Sequence, residues 1–174
     1  LKWHDNISSA NGIIIRSVAI DKLGNTILFG HAYNVATFYN SQDTISSNHS
    51  FICKYNNTGQ IVFIKEFSNL SCDSAIIKCD NENNIIIAGN FSGIVDFDPD
   101  TSAHILSGSH DEFVCKYSTQ GNYIWSYLIT SSSNYWSQDS TFTISGIDID
   151  TENNLYLTGL YSQIVDFDGG VGTY

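Results

Sequence analysis

Ile76-Ile-Lys-Cys-Asp-Asn-Glu-Asn-Asn-Ile-Ile-Ile-Ala-Gly-Asn-Phe-Ser-Gly-Ile-Val-Asp-Phe-Asp98 is restated seventy positions later. The second copy is Gly146-Ile-Asp-Ile-Asp-Thr-Glu-Asn-Asn-Leu-Tyr-Leu-Thr-Gly-Leu-Tyr-Ser-Gln-Ile-Val-Asp-Phe-Asp168. A weaker copy runs from Val18-Ala-Ile-Asp21 through Gly24-Asn25 and Gly30 to Val35 and Phe38. Self-similarity at a long, nearly fixed period is the mark of a repeat architecture, in which each unit buries its apolar face against its neighbours. The landmarks keep their order: Asp21, Asp80 and Asp150, then Gly30, Gly89 and Gly159, then Phe38, Phe97 and Phe167. Trp3, Phe63 and Trp125 align as well. The period is about 60 residues, stretched in the last unit by the Ser/Asn-rich insert Thr130–Ser140. The units are 1–58 (divergent), 59–120 and 121–174 (truncated), taken as parts of one domain.

Inside each unit the pattern is that of strands. Tyr123-Ile-Trp-Ser-Tyr-Leu-Ile129, Leu155-Tyr-Leu-Thr-Gly-Leu-Tyr161 and Glu112-Phe-Val-Cys-Lys-Tyr117 are rich in aromatic and β-branched residues. Between them, Asp21-Lys-Leu-Gly-Asn25, Asp80-Asn-Glu-Asn-Asn84 and Asp150-Thr-Glu-Asn-Asn154 all open on Asp and close on Asn. An Asp carboxylate can accept from the backbone two residues on, and Asn or Gly tolerates the left-handed conformation that a tight hairpin needs. No apolar stripe of helical period is present. The chain reads as all-β, with four-stranded antiparallel blades and an incomplete ring of nearly three of them. It begins at a fourth strand and stops where a third should follow, so a portion of a longer repeat protein is the expected context. Strand exchange between chains is the main rival.

The composition excludes some partners. The net charge is −11, from 18 acidic against 7 basic side chains, which disfavours nucleic acid and anionic membrane surfaces because neither finds the clustered cations it needs. No run of 18 apolar residues is present, so no transmembrane helix is expected.

The order of Asp80-Asn-Glu-Asn-Asn84, a strand, Gly89, Ile94-Val-Asp-Phe-Asp98, Asp111-Glu-Phe-Val-Cys-Lys-Tyr117 and Gly121-Asn-Tyr-Ile-Trp125 resembles the SBBP-type β-propeller repeat of bacteria and giant viruses. That repeat runs Asp-x-x-Gly-Asn-x-Tyr-x-Thr-Gly, then Asp-Phe-Asp-Pro-Gly, then Asp-x-Phe-Val-x-Lys-Tyr-Asp-x-x-Gly-Asn-x-x-Trp. The likeness covers essentially the whole chain and is weakest before residue 50, where Thr37-Phe-Tyr39 stands for the Asp-Phe-Asp triplet. The resemblance implies a secreted or surface-associated protein, virion surfaces included, with no catalytic activity and no obligatory cofactor. Its partners would be other protein chains or further repeats.

Candidate chemistry is sparse. Asp96, Asp98 and Asp100, with Asp166 and Asp168, place alternate carboxylates in a loop, as in the opening of a calcium loop. The competing reading plugs Phe97 into the core and leaves the carboxylates to turn hydrogen bonds. Asp148 and Asp150 suggest a glycosidase pair, but Lys78 stands where Asp148 would recur, and a residue repeated in every unit is better explained by fold. Cys53 and Cys115 recur as core fillers. Cys72 and Cys79 have no zinc spacing, and a disulfide between them stays open. The histidines form no metal pair, and His104 and His110 are expected in exposed polar loops. Tyr135 and Trp136 in the insert could stack on a glycan or a protein partner. The Asp, Gly and Phe landmarks otherwise read as hinges and plugs.

Overall fold

The computed structural model describes residues 3–100, 102–131, 143–161 and 165–167. All regular structure among them is β: β1 (Ile7–Ser9), β2 (Ile13–Ile20), β3 (Thr26–Ala32), β4 (Ala36–Phe38), β5 (Thr44–Ile45), β6 (His49–Tyr55) and β7 (Ile61–Ser68) come first. They are followed by β8 (Ala75–Cys79), β9 (Ile85–Asp96), β10 (Ile105–Tyr117), β11 (Tyr123–Ser131), β12 (Thr143–Ile149), β13 (Leu155–Leu160) and β14 (Val165–Asp166).

Two sheets are built as meanders in which each strand pairs with the next long one. The first has the order β2-β3-β6-β7; the second has β8-β9-β10-β11, with β14 added beyond β11. The third unit contributes the pair β12-β13. Every pairing is antiparallel, as short Asp-to-Asn hairpins demand. Four short strands per unit were expected, whereas β9 and β10 run for 12 and 13 residues. They are continuous because Asp96 and Ile105 still pair, while in the first unit the same region divides into β3 with β4 and β5 with β6. The divided ends form a separate small sheet, β1-β4-β5. β14 pairs with the end of β11 as β4 pairs with β1, so the fourth strand of one sheet reaches across to the next unit.

The three sheets meet along their first strands: β2 lies against β8, and β8 against β12. The core sits between sheets. Ile27, Phe29, Ile52 and Phe67 of the first pack with Ile77, Ile87, Phe91, Phe97 and Phe113 of the second. Phe91, Phe97 and Phe113 form an aromatic knot, with centroids 4.9–5.9 Å apart and steeply tilted rings. Each such ring, fully buried, stabilises by roughly 1.5–3 kcal/mol.

The recurring glycines are not hinges. Gly30, Gly89 and Gly159 sit inside second strands, and a Cβ there would come within 2.6 Å of Ile14 O, 2.5 Å of Ser74 O and 2.3 Å of Thr143 O respectively. The first strand presses a carbonyl onto the second strand at one fixed point in each unit, and only hydrogen fits there. The Phe plugs hold in two units, where Phe38 and Phe97 are buried, but Phe167 is 54% exposed.

Candidate functional site

The most ordered chemistry in the molecule is at its turns. Asp21 Oδ1 accepts from the backbone amides of Leu23 and Asn25, both at 2.9 Å, while Oδ2 takes the Asn25 amide at 2.8 Å. Asp80 and Asp150 repeat the arrangement with Glu82 and Asn84, and with Glu152 and Asn154. The fourth position of each turn takes positive φ: 80° at Gly24, 64° at Asn83 and 67° at Asn153. A lysine from the third strand completes the first two turns. Lys54 Nζ lies 3.0 Å from Asp21 Oδ2, and Lys116 Nζ lies 2.7 Å from Asp80 Oδ2. Burial pushes both carboxyls toward the neutral form, but the donors outweigh it and each is held below its ordinary value.

The turns also join one another. The amide of Lys22 donates to Asn83 Oδ1 at 2.9 Å, and the amide of Asn81 donates to Asn153 Oδ1 at 2.9 Å. Asn81 Nδ2 further bonds Asp150 O at 2.6 Å, and Lys22 Nζ reaches Asn81 Oδ1 at 2.7 Å. The equivalent amide of Thr151 has no acceptor among the described residues.

The described aspartates among the calcium candidates each have protein partners. Asp96 Oδ1 accepts from the amides of Asp98 and His104 at 3.0 and 2.9 Å, and Asp98 is buried with Oδ2 3.4 Å from the Ser102 amide. Asp100 pairs instead with Lys65. Of Asp166 only the backbone is described, and Asp168, Tyr135 and Trp136 lie outside the described residues. Among the described residues no three His, Cys, Asp or Glu side chains cluster as metal ligands. Asp148 leans toward Lys78 at 3.7 Å, while Asp150 is committed to its turn, so the two do not form a facing pair.

All four cysteines are free thiols. Burial pushes Cys53 and Cys72 up to about 12 and Cys79 to about 11, which removes them as nucleophiles at neutral pH. Of the two histidines expected in loops, His104 stacks on Tyr123 with centroids 4.3 Å apart. His110 is inside β10, at φ 59° beside a register shift. That bulge was invisible in the sequence, as was Glu112 next to it: a carboxyl only 1% exposed, whose Oε1 has no hydrogen-bond partner among the described residues.

The third unit carries an apolar groove of about 300 Å³ lined by Ile144, Leu157, Thr158, Gly159, Tyr161 and Phe167. The strand beside it, β13, is largely exposed.

No protein-family model matches the chain, and no characterised protein sequence does. Functional inference therefore rests on the repeat and on these geometries.

Proposed function

We propose that the chain is a non-enzymatic β-propeller repeat module that serves as an extracellular or surface scaffold and protein-interaction element, in the manner of the SBBP-type repeat. The observation that carries this reading is the turn-to-turn latch. Successive units are joined through the same pair of atoms, amide to Asn Oδ1, at the same end of side-by-side first strands. Such a join sets a constant step between units, which is what a ring of blades requires. The absence of enzymatic activity is supported by the way reactive groups are used: the turn aspartates hold backbone amides, Asp21 and Asp80 also hold lysines, and three of the four thiols are buried. A net charge of −11 with polar, Asn/Ser/Thr-rich loops suits a solvated recognition surface.

A second reading, assembly through strand pairing between chains into a fibre or layer, is favoured by one observation. Leu160, Tyr161 and Tyr156 along the third unit are 72%, 65% and 55% exposed. Negative-stain microscopy with sedimentation distinguishes the two. Discrete particles whose mass is independent of concentration support the scaffold module, and filaments that lengthen with concentration support assembly. Hydrolase turnover abolished by substituting a turn aspartate would overturn both.

A further inference from the structure

The first two sheets share their turn Asp, their pressed Gly and the Phe opposite it, and these serve the fold. They differ just after that Gly, at the end of the first strand away from the Asp turn. In the first sheet His31 and Tyr33 follow Gly30, and their rings meet edge-on with centroids 4.8 Å apart. His31 Nδ1 donates to Ser50 Oγ at 3.1 Å, which in turn donates to Leu70 O at 2.6 Å. In the second sheet Asn90 and Ser92 hold those positions after Gly89. A serine in place of the tyrosine removes a ring. A cleft of about 170 Å³ opens there, lined among the described residues by Ser71, Asp73, Asn90, Phe91, Ser92 and His110.

The lining is fixed by bonds that leave polar capacity unspent. Asn90 Oδ1 accepts from the amides of Asp73 and Ser74, both at 3.0 Å, which ties the segment entering β8 to β9. Ser71 and Ser92 are joined by an isolated bridge. Ser92 Oγ accepts from the His110 amide at 2.9 Å, and the register shift between Ser109 and Asp111 takes His110 out of the alternation of β10. Bulges re-aim side chains in this way. Asn90 therefore keeps both amide protons, Ser92 keeps its hydroxyl proton, and the Ser71 hydroxyl and the His110 ring have no hydrogen-bond partner among the described residues. Asp73 adds a carboxylate that is 88% exposed, with Arg16 Nη2 3.9 Å away.

We propose that this cleft binds one neutral sugar ring. An anion would meet the Asp73 carboxylate, and a cation would meet the amide protons of Asn90. Vicinal hydroxyls, each both donor and acceptor, satisfy the carboxylate, the amide, the serines and the imidazole together. The size agrees: the cleft is smaller than the roughly 300–1,000 Å³ of a drug-sized ligand site, so it takes a single ring. Asp73 accepts from the ring hydroxyls and Asn90 donates to them, while Ser71, Ser92 and His110 set the orientation. So open a site gives millimolar affinity. The inference goes beyond the scaffold reading and does not rest on it, because it uses only the second sheet and the segment that enters it.

The test is an NMR titration of the whole isotope-labelled chain with the methyl pyranosides of glucose, galactose, mannose and N-acetylglucosamine, each taken to tens of millimolar. Disaccharides that carry the same rings at their non-reducing ends form a second arm. Saturable shifts of the Asp73, Ser92 and His110 amides and of the Asn90 side-chain amide are expected with at least one sugar. Binding of the matching disaccharide assigns the end of a glycan, and binding of the pyranoside alone assigns a free sugar. Asp73→Ala should weaken binding about tenfold, the loss of one charged hydrogen bond. Ser92→Tyr, which installs the residue the first sheet carries, should abolish binding and leave the rest of the amide spectrum in place. The Asp73 side chain is exposed, so its variant decides the matter should the tyrosine variant fail to fold. No saturable shift with any of the sugars, shifts confined to other residues, or undiminished binding by either folded variant would overturn the proposal. The scaffold reading would stand in each of those cases.

Discussion

Asp21 is both the staple of a hairpin and the counter-ion of Lys54, whose side chain is only 4% exposed. Removing its charge leaves a buried ammonium with the Thr119 carbonyl but no counter-ion, a loss that typically costs about 3–5 kcal/mol. Asp21→Asn should therefore lower the unfolding free energy in urea by about 3 kcal/mol at pH 7. Because the folded-state carboxyl is held below its ordinary 3.8, its contribution is complete above that pH and is lost as the pH falls through the depressed value. The deficit of the variant should accordingly shrink toward pH 2. Glu112 has the opposite sign. Burial raises it to about 7, a backbone bond at Ile144 opposes that, and nearby Asp111 adds to it. Between its ordinary 4.5 and about 7 the folded state holds the extra proton, so stability falls as pH rises across that window, by up to about 1.4 kcal/mol per pH unit. Glu112→Gln should flatten the decline, as read from urea midpoints at pH 5 and pH 7.5. An unchanged slope would show that Glu112 is solvated.

At the scale of the element, the hairpins were legible because their chemistry is local. Asp accepting from two and four residues on, with Asn or Gly closing at positive φ, follows from five consecutive residues. The latch between hairpins was not legible, since Lys22 and Asn83 are brought together only when two sheets align. Asn83 has two separable roles, its φ and its acceptor. Asn83→Gly should cost about 1 kcal/mol through the lost bond alone, and Asn83→Ala about 1 kcal/mol more through the left-handed backbone. Equal losses would mean that the left-handed backbone at Asn83 contributes nothing, and no loss in Asn83→Gly that the side-chain bond contributes nothing. Gly30, Gly89 and Gly159 read as hinges in the sequence, but what fixes them is a close approach: the carbonyls of Ile14, Ser74 and Thr143 press on them from an adjacent stretch of chain. The Asp96–Asp100 loop likewise reads as ligand spacing in one dimension. In three dimensions Asp96 is occupied by two amides and Asp100 by Lys65. Millimolar calcium should leave the melting temperature unmoved, and a rise of several degrees would assign the ion to this loop.

For the whole molecule, the sequence pattern was sufficient for an all-β chain of repeated antiparallel units, because strand period, turn residues and spacing agree. It marked the third unit by the Thr130–Ser140 insert but was silent on which of its landmark residues are buried. Phe167 matches Phe97 letter for letter, yet one is exposed and the other is buried, because burial depends on what covers the strand. The central claim is that units are joined through one recurring contact, which among the described residues engages the Lys22 and Asn81 amides and leaves the Thr151 amide without an acceptor. Amide exchange by NMR at Lys22, Asn81 and Thr151 tests it directly. All three lie in hairpin turns, and turn amides normally exchange quickly. The account predicts that Lys22 and Asn81 are protected by their Asn acceptors and that Thr151 exchanges far faster. Equal, rapid exchange at all three would contradict it.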